Sequence, residues 1–160
     1  MKKTNLLLIS LLGLLLTMTM CKKDDDDPPY VGSWETDVFT MQEAQVKMDF
    51  DFTASNFTGA IRVFITNGVY IDYLGIKGDV TETDNQNLDI SLTDLGLYDG
   101  DIEDYDYKNR VNDATEFDAL YTQYLATSLP KDFLATYEIT GDQMDLVIAD
   151  IQETITLYRK

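Results

Sequence analysis

The stretch Tyr137-Glu138-Ile139-Thr140-Gly141-Asp142-Gln143-Met144-Asp145-Leu146 decides the fold. Apolar and polar residues alternate on both sides of Gly141-Asp142, a pair suited to a tight turn. With that pair as the turn, Ile139 faces Met144, Tyr137 faces Leu146 and Ala135 faces Ile148, all on one side of a sheet. A slip of one residue would carry every apolar side chain to the other face, so this register is the self-consistent one. The spacing predicts strands over 134–140, 143–149 and 154–159.

The same period of two runs through the first half. Val46, Met48, Phe50 and Phe52 alternate with Lys47, Asp49, Asp51 and Thr53, the pattern of a half-buried antiparallel strand. Residues 57–66 follow, with Ile61, Val63 and Ile65 on one side, and end at Asn67-Gly68, a strong hairpin signal. A two-residue turn there sets Ile65 beside Tyr70 and Val63 beside Asp72, which places a carboxylate on the apolar face. Leu88, Ile90 and Leu92 mark a further strand. The acidic stretch 94–112, with Tyr98, Tyr105 and Tyr107, reads as a long loop. Asp113 and Glu116 have capping-box spacing, and Phe117, Leu120, Tyr121, Tyr124 and Leu125 follow at helical intervals before Pro130. The expectation is a mainly β domain of about eight antiparallel strands and one amphipathic helix. Such a sheet must close or pair to hide its apolar face. Closure gives a barrel, and a two-sheet sandwich is the alternative.

The N-terminus has a different character. Lys2 and Lys3 precede an apolar run over 6–16 that is shorter than the roughly 20 residues of a membrane span. The run leads to Met18-Thr19-Met20-Cys21, which holds the single cysteine of the chain. This junction resembles the signal of bacterial lipoproteins, although Met18, Thr19 and Met20 replace that family's usual Leu, Ala or Ser, and Gly or Ala. The resemblance implies removal of 1–20 and lipidation of Cys21. Lys22, Lys23, Asp24, Asp25, Asp26 and Asp27 resemble the export signal that takes some Gram-negative lipoproteins to the cell surface; the periplasmic leaflet of the outer membrane is the alternative. The organisation is then a signal peptide over 1–20, a lipidated acidic tether over 21–31 and a β domain over 32–160. Lys22 to Pro29 spans at most about 26 Å when extended, so the domain would ride close to the bilayer.

Composition narrows the function. The net charge is −17 in a chain of 160 residues, and loss of Lys2 and Lys3 makes it −19. A surface so acidic does not suit nucleic acid, whose phosphates demand Lys and Arg. The chain has no histidine, which removes the Ser-His-Asp triad and the commonest zinc ligand. With Cys21 used for lipid, no thiol nucleophile is left. No cofactor is implied, and a binding protein is expected rather than an enzyme. Asp99, Asp101, Glu103, Asp104 and Asp106 resemble a calcium loop in composition only, since the glycine needed at its sixth position is absent.

Gly32-Ser33-Trp34, together with the terminal meander ending in Thr156-Leu157-Tyr158-Arg159, resembles small bacterial lipocalin-like lipoproteins. That resemblance implies a barrel in which Trp34 closes the floor and Arg159 packs across it. It also implies an interior that holds a small, largely apolar ligand. The candidate ligand residues are Met48, Phe50, Phe52, Ile61, Val63, Asp72 and Tyr137. The competing readings are a surface carbohydrate-binding module built on the tyrosines of 94–112, and an accessory or scaffolding lipoprotein with no internal ligand.

Overall fold

The computed structural model describes residues 27–160 apart from 42, 67 and 85. The signal stretch, Cys21 and the run from Lys22 to Asp26 lie outside the described residues. The alternating segments become β1 (Gly32–Thr36), β2 (Phe39–Met41), β3 (Ala44–Phe52), β4 (Asn56–Thr66), β5 (Val69–Asp84), β6 (Asn87–Asp99) and β7 (Asp104–Asn109). A helix, α1 (Ala114–Tyr124), precedes β8 (Asp132–Thr140), β9 (Gln143–Ile148) and β10 (Glu153–Arg159).

Eight of these strands form a closed antiparallel barrel in the order β1-β10-β9-β8-β6-β5-β4-β3, and β3 returns to β1. Closure excludes the sandwich, because β1 pairs with β10 on one side and with β3 on the other. The terminal hairpin has the register read from the sequence: Ile139 faces Met144, Tyr137 faces Leu146 and Ala135 faces Ile148.

The barrel floor is built around Trp34, which is fully buried. Arg159 lies opposite it on β10 and lays its guanidinium 4.3 Å from the centre of the indole. The indole Nε1–H donates to the Tyr30 carbonyl at 2.8 Å, and Arg159 donates to the Pro29 carbonyl at 3.3 Å. Pro29 and Tyr30 therefore fold back under the barrel. The Tyr30 ring meets Phe52 and Tyr137 edge-on, with centroids 6.3 and 5.5 Å away. The Tyr137 hydroxyl donates to Glu82 at 2.9 Å; burial and then this bond raise its pKa. Gly32 has φ +135°, a region that side chains resist, and a Cβ there would come within 3.1 Å of Arg159 Nη1. The Gly-x-Trp spacing thus sets a bare backbone under the guanidinium that covers the tryptophan.

The interior is filled. Phe52 lies 6.0 Å from Phe50 and 5.6 Å from Phe57, centre to centre. A side chain at Gly59 would strike the Phe50 ring, and one at Gly78 the Phe57 ring. Large and small residues therefore interlock across the strands, as a small barrel requires. A void among Phe50, Phe52, Phe57, Ile76, Leu129 and their neighbours measures about 40 Å³.

The middle of the chain departs from its sequence reading in three ways. The stretch 94–112 is not a loop: its first part extends β6, and 104–109 return as β7 along that extension. Tyr105 and Tyr107 lie over Gly75 of β5, where a Cβ would collide with the Tyr105 ring and the Tyr107 hydroxyl. Alternation was hidden here because the polar partners on this strand pair are aspartates and tyrosines. Second, Asp113 makes no side-chain cap to α1; its carboxylate accepts the Asn109 backbone N–H at 3.0 Å, tying the helix to the end of β7. Third, the β4–β5 pairing carries two register shifts, one between Ile61 and Arg62 and one between Phe64 and Thr66. Asp72 therefore pairs with Arg62, not Val63, and leaves the apolar face.

The apolar stripe of α1 packs inward, with Phe117 buried and Leu120, Tyr121 and Tyr124 against the core. The connection back to the barrel is clamped by Arg110, which grips Asp132 with two nitrogens at 2.5 and 2.6 Å while Ser91 donates to the same carboxylate.

Trp34→Ala should cost about 3–5 kcal/mol in urea unfolding, and Gly32→Ala about 1–3 kcal/mol through its backbone conformation; a Gly32→Ala protein as stable as the parent would refute the floor geometry. Arg110 and then Ser91 hold the Asp132 pKa down at about 2, against an ordinary 3.8. A depressed carboxylate stabilises above its unfolded pKa and loses that contribution as pH falls through the folded value. The stability difference between the parent and Arg110→Ala should then be steady above pH 4 and shrink between roughly pH 4 and pH 2. Asp132 is largely exposed, so its size should stay below about 1 kcal/mol.

Candidate ligand groove

Strand lengths create the site. β1 ends at Thr36, and its pairing with β10 spans only Trp34–Arg159, Glu35–Tyr158 and Thr36–Leu157. β10 continues back to Glu153 with β9 on one side. On the other side, residues 153–156 have no strand partner among the described residues. Beyond Thr36 the chain swings out to form β2, which returns along β3 as Phe39–Val46 and Thr40–Gln45 pairs. The Thr36 hydroxyl accepts the Met48 backbone N–H at 2.9 Å, bridging the first point where the β1–β3 ladder has stopped.

The gap is a groove of about 770 Å³ at the end of the barrel opposite the floor. Its apolar part comes from Phe39 of β2, Met48 of β3, Ile151 of the β9–β10 turn and Ile155 of β10. Thr36, Asp37 and Thr40 line one side, and Thr127 and Ser128 reach over from the segment after α1. Glu153, Thr154 and Thr156 complete it. Successive β10 residues contribute together because the strand is met along its bare edge. The lining carries two carboxylates, Asp37 and Glu153, and no lysine or arginine.

The sequence-read candidates do not share one site. Met48 lines the groove. Phe50 and Phe52 bound the small interior void. Ile61 is fully buried, Val63 packs against the core near the groove end, and Tyr137 belongs to the floor. Asp72 lies on the outer surface, 2.7 Å from Arg62 Nε. Arg62 also reaches Asp49 at 2.6 Å, and Lys160 pairs with the other Asp49 oxygen, so a buried carboxylate is held between two cations. Phe39, Ile151 and Ile155 were missed as site residues. The only signal for them was the mismatch between a short first strand and a long last one.

The tyrosines of β6 and β7 form a second surface. Tyr105 stands 5.6 Å from both Tyr98 and Tyr107, centre to centre, and Lys77 covers the Tyr107 ring at 3.6 Å. Burial, then Asp72, raises the Tyr105 hydroxyl pKa. Tyr105 and Tyr107 are half-buried in this packing, and Tyr98 is exposed. The acidic residues of 99–106 belong to the β6–β7 turn and its flanks, and among the described residues no three carboxylates converge as a metal site would need.

Comparison with family models, with curated proteins and with solved structures returns no match.

Proposed function

We propose that this chain is a lipid-anchored binding protein that takes a small, largely apolar ligand in the groove beside β10 and performs no chemistry on it. The observation that carries the reading is the groove itself. Its volume lies within the roughly 300–1,000 Å³ of small-molecule sites, and it combines a few apolar side chains with convergent hydroxyls. The interior void is too small to serve, so the ligand sits in the wall of the barrel rather than in its centre.

The lipocalin-like resemblance at both ends of the chain agrees with a closed barrel that carries such a site. Anchoring is supported by the junction at Cys21. Tyr30 lies at the sealed floor, so a tether running from it toward Cys21 would leave from that end. The groove would then open away from the bilayer, toward the medium if the acidic run after Cys21 directs export to the cell surface, and within the periplasm otherwise. Such an arrangement suits capture of a ligand from solution.

Binding is checked by titrating the protein with the neutral apolar dye Nile red. Saturable fluorescence should be weakened at least about tenfold by Ile155→Arg or Met48→Arg, each of which places a charge on the apolar lining. Phe52→Leu, at the interior void, should leave it unchanged. Absence of saturable binding, or equal binding by the Arg variants, overturns the reading. Anchoring is checked separately: Cys21→Ser should move the protein from the detergent phase to the aqueous phase in a Triton X-114 partition.

A further inference from the structure

We infer that the groove selects an amphiphile with a positively charged head, such as an alkylamine or alkylammonium, over one with a carboxylate or phosphate head. The inference rests on the groove being the binding site and adds the chemical class of its ligand.

Two observations carry it. The first is the lining: Asp37 and Glu153 share it with the apolar Met48, Ile155 and Phe39, and no lysine or arginine is part of it. A tail can lie on the strip while its head meets carboxylates and the bare edge of β10. The second is the state of the cations elsewhere. Every lysine and arginine among the described residues is already engaged. Lys47 pairs with Glu35, Lys108 with Asp106, Arg110 with Asp132 and Lys131 with Asp118. Arg62 and Lys160 share Asp49, Lys77 covers Tyr107, and Arg159 covers Trp34. An anionic head would enter a site lined by negative charge, with no lysine or arginine in its lining to meet it. A cationic head would find two carboxylates that, among the described residues, no lysine or arginine pairs with.

The test uses the full chain with Cys21→Ser, so that no acyl anchor is attached. Octyltrimethylammonium, octyl glucoside and octanoate are titrated calorimetrically, each below its micelle concentration, in about 0.1 M salt, where only charges within about 10 Å act strongly. The cation should bind about tenfold more tightly than octanoate, with the neutral glucoside between them. In the Asp37→Asn, Glu153→Gln double variant the gap should fall to about twofold or less. Octanoate binding as tightly as the cation overturns the inference and leaves groove binding intact. A preference that persists in the double variant also overturns it, because the selectivity would then belong to the overall negative charge. If Nile red binds and none of the octyl series does, the ligand class is wrong; if Nile red fails as well, the groove reading falls with it.

Discussion

The structure depends on one short seam, the pairing of β1 with the last strand. Three residue pairs join β1 to β10, and four join it to β3. Without them the sheet would present two open edges and an uncovered apolar face. The seam is short, and it is reinforced where it is made. Trp34 fills the floor, Arg159 covers the indole, and both are tied back to the backbone of Pro29 and Tyr30. A cation over an indole contributes about 0.5–2 kcal/mol, and full burial of the tryptophan adds a larger apolar term.

The shortness of that seam also makes the groove. A first strand long enough to pair with all of β10 would have closed the wall from floor to rim. Ending at Thr36 leaves the edge of 153–156 bare and turns the chain outward into β2. The filled interior is the complement of this arrangement. Phe50 and Phe57 fitted against Gly59 and Gly78, with Phe52 packed on both, fill the barrel centre, and the groove lies where the wall is interrupted. The packed floor and the groove thereby lie at opposite ends of the same strands.

The outer surface shows how a chain with so large an excess of carboxylates holds its few cations. Asp49 is buried between Arg62 and Lys160, which pins the C-terminal residue to β3 and β4. Arg62 also holds Asp72, at the place where the β4–β5 hairpin shifts register. Arg110 clamps Asp132 where the chain re-enters the barrel after α1. The cations mark joints between elements, and the carboxylates left over face solvent and the groove.

Much of this was legible in the residues alone. Strict alternation, a glycine turn with matching apolar partners and a helix-spaced stripe fixed the strand class, the terminal register and the place of α1, because burial of one face admits only one phase for each segment. Local pattern could not reveal that Asp72 points outward, since a bulge shifts the phase without changing composition. It could not show that the tyrosines after Asp94 build a strand, because their support is the bare backbone of Gly75, twenty or more residues away. The groove was the least legible feature. It arises from the difference in length between the first and last strands, and only closure of the ring sets those two strands side by side.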